Sequence, residues 1–330
     1  MRRRPLALRE RPRHRRASIN RIAPPAPLVS LSSGTRSEFG VRPTVSTHAL
    51  ADAGLFSDEA LCELLDRFPR QQLHALTMGS DPARPDQNRP VRHEELGGAD
   101  LLRAVQQGCL WLNLTRVDRA DARFRSLIDR LYQELADGIP GFRPDASHGN
   151  LLISSPRAMV YYHVDGPASV LWHVRGRKRV WVYPALDPHF VQREALEDIF
   201  AGARHEYLPF DTAFDAAAVR CELEPGQWIA WAQNAPHRIA NLEGLNVSLS
   251  TEHFTPQTRR RARVQAANRF MRLRFGWTGL STRDSGPLAG LKVLAHQVAR
   301  RAGLDRIRLK QHDAAAVRVD PDAPGGVAPL

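Results

Sequence analysis

Apolar side chains recur along this chain with two periods, and the changes between them divide it. In FSDEALCELLDRFP, Leu61, Leu64, Leu65 and Phe68 fall at helical spacing. Ser57 stands ready as an N-cap, Asp58 and Glu59 fill the first turn, and Pro69 stops the helix. A short helix near 99–107 leads through Gly108 into the apolar strand CLWLNL. Phe124, Leu127, Ile128, Leu131 and Leu135 then mark one face of a longer helix, ended by Gly138 and Pro140. From about residue 148 the segments become short and rich in β-branched and aromatic residues: NLLIS, MVYYHV, SVLWHVRG, KRVWVYP, VRCELEPG, QWIAWA, HRIANL and NVSLSTEHF. Gly, Pro or Asn separates them, which predicts an antiparallel sandwich or barrel. Residues 186–218 are poor in strand signal and are expected to cover the barrel mouth. After Thr255 the helical period returns. Val264, Ala267, Phe270, Met271 and Phe275 form one stripe, and Leu288, Leu291, Leu294, Ala295 and Val298 form another.

The expected organisation is therefore mostly β with flanking helices. Residues 1–47 read as a disordered basic tail and 48–147 as a helical region packed on the barrel. Residues 148–256 form the β core, 257–310 a pair of basic helices, and 311–330 a disordered tail. The net charge of +12 over 330 residues is distributed along the same lines. Residues 1–21 carry nine Arg against Glu10, and residues 257–310 carry fourteen Lys and Arg against Asp284 and Asp305. The stretch 22–256, with 23 basic and 29 acidic side chains, is mildly acidic. Basic flanks can bind nucleic acid, but solvated tails and helix faces are the favoured reading. Packing on the barrel or pairing in a homodimer is the favoured use of the C-terminal helices. No apolar run is long enough for a membrane span, and the basic start lacks the apolar stretch of a secretory signal. Cys62, Cys109 and Cys221 are odd in number and widely spaced, which fits a reducing cytoplasm rather than a disulfide framework.

The candidate chemistry lies in the β region. His163 and Asp165 are two apart in a strand-like run, so their side chains point the same way and can grip one ion. His237 follows seventy-two residues after Asp165, just beyond the apolar segment EPGQWIAWAQNAP. Two imidazoles and one carboxylate on one face of an ion leave three octahedral positions open, the arrangement of non-haem iron(II) oxygenases. Two of those positions suit a chelating 2-oxo acid and the third suits O2. HxD alone is common by chance; its place at the end of an apolar strand, with a second histidine similarly placed, gives it weight.

The stretch HVDGPASVLWHVRGRKRVWVYP resembles the ligand and co-substrate strands of the cupin-like JmjC oxygenases, nearest to the branch of the asparaginyl hydroxylase acting on the hypoxia-inducible factor. The resemblance covers roughly residues 148–255 and implies a double-stranded β-helix (cupin, or jelly-roll) core. It implies iron(II) on His163, Asp165 and His237, with 2-oxoglutarate as co-substrate. In that branch a lysine thirteen residues after the carboxylate ligand binds the distal carboxylate, and here that position is Lys178. Two departures stand out: Val160 replaces a threonine three residues before the first ligand, and Ser248 replaces a strand asparagine near the metal. Tyr161, Tyr162 or Ser169 could supply the missing hydroxyl, with one tyrosine necessarily pointing away. The implied activity couples decarboxylation of 2-oxoglutarate to hydroxylation of a C–H bond, as a hydroxylase or demethylase of a protein or small molecule. The competing readings are a cupin-type metal-dependent isomerase or hydrolase, and a non-enzymatic JmjC-like regulator with nucleic-acid-binding flanks.

Overall fold

The computed structural model describes residues 26–203, 206–305 and 315–330. The expected helices are present. Helix α1 (Ser33–Glu38) precedes α2 (Asp58–Arg67), whose N-cap Ser57 accepts the Ala60 amide, and α3 (Gly98–Gln107) follows. A short α4 (Val117–Ala120) leads into α5 (Ala122–Gly138), capped by Asp121 and burying the predicted stripe together with Tyr132. Helix α6 is Arg193–Phe200, α7 is Pro256–Phe275 and α8 is Pro287–Arg301.

The β core is a cupin-like double-stranded β-helix made of two facing sheets that share their longest strands. Strands β1 (Thr44–Thr47), β2 (Leu73–Thr77), β3 (Val91–Arg92) and β4 (Leu110–Leu114) come from the N-terminal part. They are followed by β5 (Asp145–Ser154), β6 (Met159–His163), β7 (Ala168–Val182), β8 (Val219–Leu223), β9 (Gln227–Ala230) and β10 (His237–Phe254). The larger sheet runs β1-β9-β7-β10-β5-β4-β2, using the first half of β7 and the second half of β10. The other halves of β7 and β10 pair with each other and with β8 and β6. The turn between halves falls at Gly176, whose φ of +78° is open to glycine. A Cβ there would lie 2.6 Å from the Asn246 side chain and 2.8 Å from the Leu245 carbonyl.

Strand alternation sorts the side chains. Ile153, Trp172, Trp228 and Leu249 face the N-terminal helices and form one core with Leu61, Phe124 and Leu131. Leu171, Val180, Leu223, Ile229 and Ile239 face the opposite way, into the barrel. Helix α3 approaches α2 so closely that a Cβ on Gly98 would lie 2.2 Å from the Cys62 carbonyl oxygen. Gly98→Ala is expected to destabilise the fold by about 1–3 kcal/mol, read as a lower urea midpoint.

Several boundaries differ from expectation. Residues 1–25 of the expected N-terminal tail lie outside the described residues, but 26–47 are not a tail. The Leu28 and Val29 amides both donate to Glu134, Val29 is buried, and β1 pairs with β9. The region 48–147 is not only helical, because β2 and β4 extend the main sheet through β5. At the other end, β11 (Val317–Val319) pairs with β12 (Val327–Pro329) and, in parallel, with β3, so the described part of 311–330 is a strand pair. These strands are short and polar and gain their hydrogen bonds from edges far away in sequence, which a local pattern does not reveal. The segment 186–218 carries α6 and a 3₁₀ turn, Thr212–Ala217. It packs Phe190, Leu196 and Leu208 against Tyr162 and Trp181 on the outside of the smaller sheet.

Candidate metal centre and the buried lysine behind it

His163 ends β6 and His237 begins β10, and the two are direct cross-strand partners. Their rings lie 4.1 Å apart between centroids. Both Nδ1 atoms are held by local carbonyls, Tyr161 at 2.8 Å and Ala235 at 3.1 Å. That contact fixes the tautomer with Nδ1–H donating, so each Nε2 lone pair faces the third residue. Asp165 lies just past β6, with Oδ1 3.5 Å from His163 Nε2 and Oδ2 3.7 Å from His237 Nε2. The three potential donor atoms are all within 4.8 Å of one another. An ion about 2.1 Å from each donor would need facial spacings of roughly 3 Å, so a small inward movement completes the site. Nitrogen and carboxylate donors without a thiolate suit iron(II).

The turn carrying Asp165 is pinned from several directions. Ser169 Oγ donates to Asp165 Oδ2 at 2.6 Å. Asn234, in the left-handed region at φ +66°, donates to the Asp165 carbonyl, and Gln233 donates to the carbonyls of Gly166 and Thr258. Burial alone would raise the Asp165 carboxyl, but His237, His163 and the Ser169 hydroxyl hold it well below the usual carboxylate range. Burial lowers His237 to about 4, leaving a neutral imidazole at physiological pH. For His163 burial acts in the same direction, but the Asp165 carboxylate outweighs it and raises the group.

Lys178 occupies the same interior face. On β10 the alternating set is His237, Ile239 and Asn241; their partners on β7 are Val182, Val180 and Lys178. Lys178 therefore lies four residues, roughly 13 Å of strand, from the partner of His237. Lys178 is only 4% exposed, and its ammonium donates to Ser248 Oγ at 2.8 Å. Ser248 is within 3.0 Å of His173 Nδ1, and His173 Nε2 is 2.8 Å from the Gly176 carbonyl. With His173 held neutral by burial, at about 3, the donors run in one sense: ammonium to hydroxyl, hydroxyl to imidazole, imidazole to carbonyl. Among the described residues no carboxylate is bonded to Lys178, and burial lowers it to about 7.

This has a consequence for stability. Between pH 7 and the ordinary lysine value of 10.5 the unfolded chain holds a proton that the folded chain has lost, so Lys178 makes stability rise with pH in that window. In metal-free protein without ligand, Lys178→Met is expected to flatten the rise in Tm between about pH 7 and 8.5. An equal slope in both proteins would show that the ammonium is not desolvated.

The other expected pocket residues separate. Tyr162 points outward and donates to the Phe190 carbonyl. Tyr161 shares the His163 face, and its hydroxyl oxygen accepts the Gly79 amide at 2.8 Å. Ser169 is placed against the carboxylate of Asp165 and Ser248 against Lys178. Val160 packs among the apolar residues of the barrel interior. Arg177 and Arg179 pair with Glu222, Glu224 and Glu243 on the outside, as expected for a solvated hairpin. Sequence reasoning did not single out Tyr207 or Asn88. The Tyr207 ring lies 6.2 Å from His163 and 6.3 Å from Tyr161, and Asn88 donates to its hydroxyl. Neither belongs to a motif, and both come from loops; no local signal marks them.

No family model matches the chain, and no curated protein sequence matches it. Among solved structures it is similar to an X-ray structure of Escherichia coli YcfD, with 16% identity, a TM-score of 0.49 and coverage of 87% of this chain and 75% of that one. It is also similar to a crystal structure of the E. coli ribosomal oxygenase YcfD, at 17% identity, TM-score 0.46 and coverage of 82% and 67%. YcfD in complex with cobalt and 2-oxoglutarate gives 17% identity, a TM-score of 0.45 and coverage of 84% and 69%. Likenesses this low leave the chemistry to be argued from this chain's own residues.

Proposed function

We propose that this chain is an iron(II)- and 2-oxoglutarate-dependent oxygenase that hydroxylates a C–H bond of a protein or small-molecule substrate. The observation that carries the reading is the pairing of two features on one interior face. Two imidazole Nε2 atoms converge on a carboxylate, and farther along the same face lies a buried ammonium with a hydroxyl as its bonded partner and, among the described residues, no bonded carboxylate. A buried lysine without a carboxylate is costly; a small dianion that also reaches the metal positions removes that cost.

His163, Asp165 and His237 would hold the iron, which when bound supplies the activation of O2 and the oxidative decarboxylation of the co-substrate. The Tyr161 and Ala235 carbonyls orient the two imidazoles, and Ser169 orients the carboxylate. Lys178 would bind the far carboxylate of 2-oxoglutarate, with Ser248 and His173 fixing the direction of its N–H groups. Val180, Val182, Leu223 and Ile239 wall the interior with hydrocarbon and keep water from the co-substrate. Tyr207, Tyr161 and Asn88 border the His163 side, where substrate would approach.

The test is anaerobic loading with iron(II), then admission of O2 and measurement of succinate formed from 2-oxoglutarate. Succinate formation that requires iron and O2, even without substrate, is expected. Metal binding with no affinity for 2-oxoglutarate would sink the oxygenase reading and leave a cupin-type isomerase or hydrolase.

A further inference from the structure

A single short segment touches two of the three candidate metal ligands. Residues 231–236 lead from β9 into His237, and Trp231, Gln233, Asn234 and Ala235 are buried. The Trp231 ring packs on the His237 imidazole, with centroids 4.4 Å apart. The Ala235 carbonyl holds His237 Nδ1 at 3.1 Å. Between these contacts the chain reverses in a four-residue turn, closed by the Ala235 amide on the Ala232 carbonyl at 3.0 Å. Gln233 and Asn234 are its central residues, each 2% exposed.

The turn holds Asn234 at φ +66°. A positive φ at the third position of a turn favours glycine, because a Cβ there crowds the backbone. The asparagine side chain has a use in that place: its Nδ2 donates to the Asp165 carbonyl at 3.3 Å. Gln233 Nε2 donates to the next carbonyl, Gly166, at 2.9 Å, and to the Thr258 carbonyl in the first turn of α7 at 3.3 Å. Two adjacent carboxamides thus grip two consecutive carbonyls of the loop that presents the Asp165 carboxylate. The grip has a cost. Asn234 Oδ1 and Gln233 Oε1 are buried with no hydrogen-bond partner among the described residues, and unpaired buried acceptors disfavour a fold. A left-handed asparagine and two orphaned oxygens in consecutive residues are the kind of local strain that collects at functional sites.

We propose that Gln233 and Asn234 are positioning residues for the metal, fixing the Asp165 loop in its ligating place at the expense of stability. The inference rests on His163, Asp165 and His237 being the metal site. It concerns how the ion is held and is independent of the co-substrate. Once the tie at its carbonyl is lost, Asp165 must be ordered by the ion itself, and that ordering is subtracted from binding.

Asn234→Gly and Asn234→Ala separate the tie from the backbone. Both remove the carboxamide, and glycine accepts the left-handed conformation where alanine is strained. Iron(II) affinity by anaerobic calorimetry and the thermal midpoint of the metal-free full chain are measured for each. Affinity is expected to fall about tenfold in both variants, the lower end for loss of an outer partner of a metal ligand. The midpoint of Asn234→Gly should stand at or above the parent's, because an orphaned oxygen and a strained residue disappear with the side chain. Asn234→Ala should melt below Asn234→Gly while binding iron no better. Affinity for 2-oxoglutarate at saturating iron should be unchanged, since Lys178 is held by Ser248 and not by this turn. Parent-level iron affinity in either variant, a midpoint of Asn234→Gly below the parent's, or a parallel loss of 2-oxoglutarate affinity would overturn the proposal and leave the metal site standing. A parent that binds no iron(II) would overturn the metal site itself and the proposal with it.

Discussion

Alanine in place of His163 or Asp165 is expected to abolish iron-dependent succinate formation while leaving the chain folded. Losing the outer partner of a metal-bound histidine costs roughly 10–100-fold in affinity or activity, and losing the ligand itself should exceed that. The metal-ligand type groups that come within 4.8 Å of one another are His163, Asp165 and His237 among the described residues. Asp165 carries the larger expected effect, because its carboxylate lies between both imidazoles and balances the charge of a divalent ion. His237→Ala removes the ligand that burial keeps neutral and metal-ready. Iron(II) binding followed anaerobically by calorimetry, with succinate measured on the same preparations, checks the prediction. Parent-level turnover in Asp165→Ala would place the metal elsewhere.

Lys178→Ala is expected to raise the KM for 2-oxoglutarate at least about 30-fold, the lower end of what removing one partner of a buried charge pair costs. Iron binding should be unchanged, since Lys178 lies four residues along β7 from the partner of His237. Lys178→Arg should not restore affinity, because a planar fork does not fit where a compact ammonium meets one serine hydroxyl. Ser248→Ala should fall between parent and Lys178→Ala: it removes the group that aims the ammonium and keeps the charge. Calorimetric titration of 2-oxoglutarate into the metal-loaded proteins separates these cases. An unaltered affinity in Lys178→Ala would show that the co-substrate does not use this pocket, and would favour a metal-dependent isomerase or hydrolase.

Much of the site is local in origin and could be seen without coordinates. Two residues apart on a strand means one face, so His163 and Asp165 were paired by alternation alone. The apolar runs ending at His163 and leading toward His237 marked the strands that present them. Lys178 was conspicuous as one of only three lysines in an arginine-rich chain, set within a β run. Roles that depend on which strands meet were not visible. Ser169 was expected among the co-substrate hydroxyls, yet its hydrogen bond goes to the Asp165 carboxylate. His173 supports Lys178 because β7 places it opposite Ser248 of β10, a register formed between segments seventy-five residues apart.

The sequence by itself determined the helices with strong stripes, the β texture of the core and the three candidate metal ligands. All of these depend on spacings within a few residues and on the polar or apolar nature of each side chain. Tertiary structure alone decided that Thr44–Thr47, Val317–Val319 and Val327–Pro329 become strands, because their backbone groups are satisfied by β9, by β3 and by each other, which no nearby residue foretells. It also decided which side of α8 is covered. A helical stripe says that leucines share a face, but whether that face meets α7 or water depends on where α7 has already spent its apolar side, and here the leucines were left outside.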